Sequence, residues 1–339
     1  MFGDQDFGDC VYNDSADIYS IGWTIHTRSS LRLILGFLKY SFLFIKTKPK
    51  AVFSFTIGPN LIVGVASWFF QFRFIPTISG LGFAFRKKAK SRFGLIFLMR
   101  LILKNAKLVF FHNETDRRYF IRMKIVKAEQ ARVVNGSGLN SFERRALEKL
   151  SAFRSDGLYK RRDSLNVIMV ARLIYAKGLE DFLDICNACI GRSIKFTLVG
   201  SYNQRSSDSI SIELFNQIVN HPSIDFLGYR SDMLSVLQNA DCMLVCSRRE
   251  GLSKAVIEGL ASGLPVIGYR VPGVKDVVFD GVNGFLSNPN NVKSMIGKII
   301  MFSQIDKEAY RLMSAEAGNS INDSFAAETI FREYMSLLD

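Results

Sequence analysis

Seven residues separate Glu250 from Glu258 in SRREGLSKAVIEGLASGLP (247–265). An apolar strand ends at Cys246, a loop carries Glu250-Gly251, and a helix is predicted from about 253. A helix start at a strand's end suits a phosphate, because its N–H groups lack intrahelical partners and its dipole is positive there. Glu250 in the loop can accept hydrogen bonds from sugar hydroxyls beside that phosphate, and Glu258, two turns into the helix, can reach a ribose. The ordinary alternative is a Glu that complements the dipole and a solvated helical Glu. Arg172 and Lys177 form a second cluster, in ARLIYAKGLEDF (171–182), after a strand and ahead of another helix. Two cations so placed can clamp a diphosphate and stabilise charge on a leaving group. The alternative is a surface Arg and a helix-start Lys, although Lys at the positive end of a helix is unfavourable and asks for an anion. Gly200 and Gly228 stand at further strand ends, where the lack of a side chain permits close ligand approach.

The elements that must hold these residues are legible from 164 onwards. Short apolar strands at 165–172, 194–200, 224–228, 241–246 and 265–269 alternate with helical patterns at 178–190, 208–220, 233–240 and 253–262. That alternation predicts an α/β protein with a parallel, doubly wound sheet. The N-terminal half repeats the theme with strands near 51–56, 74–78 and 107–111. A helix starting within 135–150 and the charged stretch 154–164 read as the hinge, with a ligand cleft between two such domains facing the strands' C-terminal ends.

The chain has 339 residues, five Cys and a net charge of +13. Its length and 48% hydrophobic content exclude a disordered or disulfide-stapled protein. The charge sits entirely in one half. Residues 1–150 hold 24 Lys and Arg against 10 Asp and Glu, together with both Trp and 19 of the 29 Phe. Such a basic, aromatic half suits an anionic membrane surface or a nucleic acid. No RNP-like stacking motif supports nucleic acid. The acidic start MFGDQDFGDC lacks an export signal. Residues 51–70 are long enough to span a bilayer, but Gly58-Pro59-Asn60 at their centre predicts a turn between a strand (51–57) and a helix (60–71). Segments 31–45 and 93–103 are either amphipathic faces lying on lipid or core helices with basic edges. Cys186, Cys189, Cys242 and Cys246 have spacings that raise zinc, but no paired His lies near and core packing of reduced thiols is the expectation.

Together these residues resemble the family-4 retaining glycosyltransferases, which have the two-domain GT-B fold of two Rossmann-like domains. The resemblance rests on R-L-x3-K-G (172–178), L-V-G (198–200), F-L-G-Y (226–229), Glu-x7-Glu (250–258), G-L-P-V-I (263–267), V-P-G (271–273) and D-G-x-N-G-F-L (280–286). More weakly, TISGLGFAF (77–85), VFFHNETD (109–116) and VVNGSGLN (133–140) resemble the branch acting on undecaprenyl-diphosphate-linked sugars in bacterial polysaccharide (O-antigen, capsule) or glycan synthesis. The resemblance implies that Arg172 and Lys177 contact a donor diphosphate, Glu250 the donor sugar and Glu258 the nucleotide ribose. It implies that Leu252 and Ser253 present backbone N–H groups to the phosphate, that Gly200 lines the site, and that Tyr229 lies where the base is held. Gly80, Leu81, Gly82 and His112 fall on the acceptor side, His112 as a general base or a plain strand-end polar residue.

The same resemblance implies no metal and no cofactor beyond a nucleotide-sugar donor, taken as a UDP-sugar. The partners implied are a polyprenyl-diphosphate-linked acceptor and an anionic membrane surface, with no nucleic acid, at the cytoplasmic inner face of the cell membrane. The expected division is 1–140 for the acceptor domain, 141–322 for the donor domain and 323–339 for a C-terminal helix returning to the first. Against the family pattern, the first strand–helix unit is expected to be missing, and Asp4-Gln5-Asp6 is discounted as a metal motif. Two other functions remain: a nucleotide-sugar epimerase of similar fold, and a truncated, non-catalytic nucleotide-sugar-binding paralogue.

Overall fold

The computed structural model describes residues 30–81, 89–159, 164–206 and 208–338. The expected loss of a first strand–helix unit concerns the first 29 residues, as does Asp4-Gln5-Asp6, and both lie outside the described residues. Helix α1 (Ser30–Thr47) leads into β1 (Ala51–Phe55), α2 (Ile57–Ala66), β2 (Arg73–Ile78), α3 (Ala89–Leu103), β3 (Val109–Phe111), α4 (Glu114–Arg122) and β4 (Ala131–Val133). These four strands form one parallel sheet in the order β1-β2-β3-β4. Strand β4, only three residues long, was not expected from the sequence.

Helix α5 (Ser141–Ser155) connects to the second sheet. There follow β5 (Leu165–Val170), α6 (Leu179–Ala188), β6 (Ile194–Val199), α7 (Ile212–Val219), β7 (Ile224–Gly228), α8 (Met233–Gln238), β8 (Cys242–Val245), α9 (Lys254–Ala261) and β9 (Val266–Tyr269). Strand β10 (Gly284–Ser287), α10 (Val292–Ser303), α11 (Lys307–Asn319) and α12 (Ala327–Met335) complete the chain. The second sheet is parallel throughout, in the order β10-β9-β8-β5-β6-β7. Strands β8 and β9 are buried at every position, as near-continuous apolar runs require when helices cover both faces. Each fully buried aliphatic side chain, such as Val167 or Ile168 of β5, contributes about 1.5–3 kcal/mol relative to exposure.

The four described cysteines are free and buried. Burial pushes the Cys186 and Cys246 thiols far up, so they are packing groups and not thiolates. The region 51–70 is a strand and a helix, as the Gly58-Pro59-Asn60 turn predicts, but α2 begins at Ile57 and ends at Ala66, earlier at both ends than expected. Pro59 falls in its first turn, where a missing N–H costs nothing. Asn60 is buried and fixes this corner, donating from Nδ2 to the Thr77 carbonyl at 2.9 Å while its Oδ1 accepts from the Ser54 hydroxyl. Among the described residues, no helix is long and apolar enough to cross a membrane.

Helices α1 and α3 each pack one face into the core and leave apolar side chains exposed on the other. Phe44 of α1 and Ile96, Met99 and Ile102 of α3 are core residues. On the opposite faces, Leu38, Phe42 and Ile45 of α1 and Phe93, Phe97 and Leu101 of α3 are exposed. At the far end of the chain, α12 lies against the first sheet. Tyr334 packs its ring on Phe53, Phe55 and Phe110, and its hydroxyl pairs with the Thr77 hydroxyl at 3.0 Å.

Candidate functional site

In the second sheet the strand order reverses between β5 and β8, the two strands whose C-terminal loops carry the chemical residues. Arg172 and Lys177 follow β5, and Glu250 follows β8. A ligand crevice forms at such a switch point because adjacent connections leave on opposite faces of the sheet. The two loops are stitched together. The Arg248 amide donates to the Ala176 carbonyl at 3.2 Å. Gly178, with φ of 70°, lies so close to β8 that a Cβ there would be 2.2 Å from the Cys246 carbonyl oxygen.

Lys177 and Glu250 meet in that crevice, with Nζ 2.5 Å from Oε1, and both side chains are largely buried. The hydroxyl of buried Ser247 donates to the same Glu250 oxygen at 2.5 Å. Glu250 is thus oriented from two sides, a charge-assisted pair in a partly desolvated place being stronger than its surface equivalent. One residue on, Arg248 reaches Asp181 of α6 at 3.2 Å, and that carboxylate also accepts from the Tyr269 hydroxyl at 2.8 Å.

A row of strand ends continues from this pair. The Gly200 amide donates to the Gly228 carbonyl at 2.8 Å, and Tyr229, next in the chain, is 67% exposed. Arg172 is exposed beside Ala171. The expected reason for Gly200 needs revision: a Cβ there would lie 1.8 Å from the Ala171 carbonyl oxygen, so the chain itself occupies the space predicted for a ligand. Gly228 does have open space, and its φ of 66° favours glycine.

Ser253 is the N-cap of α9, but its side chain makes no capping hydrogen bond. Leu252 is half-buried against the second core. Glu258 sits one turn further on, 3.8 Å from Lys254, which in turn reaches Glu143 of α5 at 3.0 Å. Burial raises the Glu258 carboxyl to about 7, with Lys254 opposing and Glu143 reinforcing the shift.

The acceptor-side residues lie across from this loop. Gly82 is outside the described residues, and Leu81 is buried in the first core. Gly80 touches the loop directly: its Cβ would stand 3.2 Å from the Gly251 Cα, and one on Gly251 would be 1.5 Å from the Ser79 oxygen. His112 closes β3, its amide donating to the Ile78 carbonyl at 3.2 Å. Burial pulls its imidazole down to about 4, so it is neutral at pH 7.

Several residues at this centre carried no assigned role in the sequence. Ser247 holds Glu250, Asp181, itself bonded by the Tyr269 hydroxyl, holds Arg248, and Asn113 donates from Nδ2 to the Gly251 carbonyl at 2.8 Å. Asn113 and Asp116 stand inside VFFHNETD (109–116), where the sequence resemblance assigns a role to His112 alone. Among the described residues there is no cluster of His, Cys, Asp and Glu able to hold a metal ion.

Two Rossmann-like halves with a cation–carboxylate pair at the second sheet's switch point define the GT-B architecture. The solved structure of HepE from Anabaena, in complex with UDP and glucose, shares it with a TM-score of 0.72 at 19% identity, covering 91% of this chain and 83% of that one. Residues 164–304 match the family described as Glycosyl transferases group 1, and the chain therefore carries a group 1 glycosyltransferase domain. Among curated proteins, it is 25% identical over 256 residues to the N,N'-diacetylbacillosaminyl-diphospho-undecaprenol alpha-1,3-N-acetylgalactosaminyltransferase of Campylobacter jejuni, covering 73% of this chain and 64% of the relative. It is also 25% identical over 260 residues to the UDP-Gal:alpha-D-GlcNAc-diphosphoundecaprenol alpha-1,3-galactosyltransferase of Escherichia coli, covering 72% of this chain and 63% of that one. The matches thus span slightly less than two thirds of these relatives' length.

Proposed function

We propose that the protein is a retaining glycosyltransferase that moves a hexosyl or N-acetylhexosaminyl group from a UDP-sugar to a polyprenyl-diphosphate-linked saccharide. The observation that carries this reading is the meeting of Lys177 and Glu250 from two adjacent strands at the switch point. A phosphate beside the start of α9 would find Arg172, Lys177 and the amides of Leu252 and Ser253, and Glu250 would accept from a sugar hydroxyl. Glu258 would meet the ribose, and Tyr229 would lie by the base. In the reaction the sugar C1–O bond to the diphosphate breaks and a C1–O bond to the acceptor hydroxyl forms. UDP leaves with the bonding pair, and the acceptor's proton passes to the departing phosphate oxygen. Cations replace a metal here by offsetting the charge that develops on that oxygen. His112, neutral at pH 7, is available to accept a hydrogen bond from the acceptor.

The division proposed is 1–140 for the acceptor, 141–322 for the donor and 323–339 for the return. The exposed apolar faces of α1 and α3, set in a basic half, support peripheral attachment to an anionic cytoplasmic membrane face. The test is a panel of UDP-sugars with and without a lipid extract. UDP released only when lipid is present supports transfer. Turnover without lipid favours an epimerase, and UDP binding with no turnover under either condition favours a non-catalytic paralogue.

A further inference from the structure

The Glu250 loop is held from both halves of the molecule, and from Arg248 to Gly251 its residues alternate in the side they face. Ser247, Arg248 and Glu250 bond within the second half, to each other, to Asp181 and to Lys177. Arg249 and Gly251, flanking Glu250, face the first half. Asn113, at the start of α4, bonds in both directions: its Oδ1 accepts from the Asp116 amide at 2.7 Å as the helix cap, while its Nδ2 donates to the Gly251 carbonyl at 2.8 Å. Asp116 is fully buried at the seam, with Oδ1 3.6 Å from the Arg249 guanidinium.

That pair is left loose. Among the described residues, neither Asp116 Oδ1 nor Arg249 Nε has a hydrogen-bond partner, although both atoms are buried. Buried polar atoms without partners are costly, so an approach that closes the 3.6 Å gap would be favourable. Three glycines permit the backbones to touch here. Gly251 tolerates no Cβ against Ser79, Gly273 none against the Gly251 oxygen, and Gly80 abuts the Gly251 Cα. Asp276, whose carboxylate accepts from the Gly273 amide at 2.8 Å, adds a long contact of 3.4 Å to Thr115 beside Asp116.

We infer that Asn113 and Asp116 are positioning residues for Glu250: contact between the two halves, made through Gly251 and Arg249, sets the loop that holds the donor sugar. This rests on the proposed role of Glu250, and it adds that the acceptor half completes the donor site. Loss of the tie leaves donor affinity in place and lowers turnover, because a mis-set sugar is bound but poorly aligned.

The discriminating variant is Asn113→Ser in the full chain. Ser retains a good helix cap but is too short to reach Gly251. Hydrogen–deuterium exchange of the peptide spanning 247–253 is expected to rise about fivefold, the effect of one lost neutral hydrogen bond, with exchange across α4 unchanged. Turnover with a matched UDP-sugar and lipid-linked acceptor is expected to fall about tenfold, with KM for the donor within about twofold. Asp116→Asn should raise exchange in the same peptide. Unchanged exchange at 247–253 in both variants, or a rise confined to 114–122, overturns the inference and leaves Asn113 a helix cap. If the unaltered chain transfers no sugar, the proposed function fails instead, while the exchange comparison still decides whether the tie exists.

Discussion

The first sheet carries four strands and the second six, and they treat buried charge differently. In the second half, Asp181 and Asp241 are buried with both carboxylate oxygens engaged, and buried Arg154 engages its two terminal nitrogens: it donates to the Tyr310 hydroxyl and the Leu237 carbonyl and lies 4.3 Å over the Tyr159 ring. Asp241 accepts from the Asn166 amide at 2.6 Å and the Tyr159 hydroxyl at 3.0 Å. Among the described residues of the first half, Asp116 is the buried carboxylate, and it lies at the seam with one oxygen lacking a hydrogen bond. The first half instead buries neutral polar groups and leaves Phe42 71% and Phe97 60% exposed. One half is a pinned platform and the other an adaptable face. Satisfied buried networks rigidify, whereas an exposed aromatic face stays free to meet another surface.

The largest expected effect tests the platform's chemistry. Lys177→Ala or Glu250→Ala should lower kcat/KM for transfer by ~10²–10³-fold, comparable to losing one preorganised electrostatic group. Undiminished transfer would place the site elsewhere. Next, Arg154→Ala should destabilise the second half by about 3 kcal/mol, since it leaves buried acceptors and a vacated core position. Denaturant unfolding followed by local exchange should show the loss around α5 and α11 and not in the first sheet.

Glu258 gives an intermediate effect with a defined sign. Its folded carboxyl lies at about 7 against an ordinary 4.5, so the folded state holds the extra proton between those values. The contribution is fully present below about pH 4.5 and is lost as pH rises through about 7, amounting to roughly 3 kcal/mol. Glu258→Gln should therefore raise the melting temperature at pH 8 and leave it nearly unchanged at pH 4.5. Equal shifts at both pH values would show that burial at this position does not control the proton.

For the adaptable face, Phe42→Ser together with Phe97→Ser should weaken binding to anionic liposomes about tenfold at low salt without altering the melting temperature. Unchanged partitioning would remove these helices from the membrane reading. Smallest, Tyr334→Phe removes only the hydrogen bond to Thr77 and should cost about 1 kcal/mol, read as a small shift in the chemical midpoint.

Much of the second half was legible because its strands are apolar runs of regular spacing and its helices carry a clear period. LNVIMV, IKFTLV and CMLV could be located, and Glu-x7-Glu with R-L-x3-K-G marked the two loops that meet. The three-residue β4 and the four-residue β10 escaped because such short stretches have no periodicity to read. Ser247, Asn113 and Asp116 escaped for another reason. Their partners Glu250, Gly251 and Arg249 lie 3 to 138 residues away, and a Ser, Asn or Asp near a loop has many ordinary explanations.

The sequence by itself determined the α/β alternation, the parallel second sheet, the concentration of basic charge and Phe in the first half, and the two loops that carry cations and carboxylates. These are properties of local pattern and composition, set by periodicity and charge. Only the tertiary structure decided that Lys177 lies on Glu250, that Gly200 makes room for its own chain, and that Asn113 and Asp116 reach across to the Glu250 loop. Those facts depend on distances between strand ends far apart in the chain, which no local pattern records.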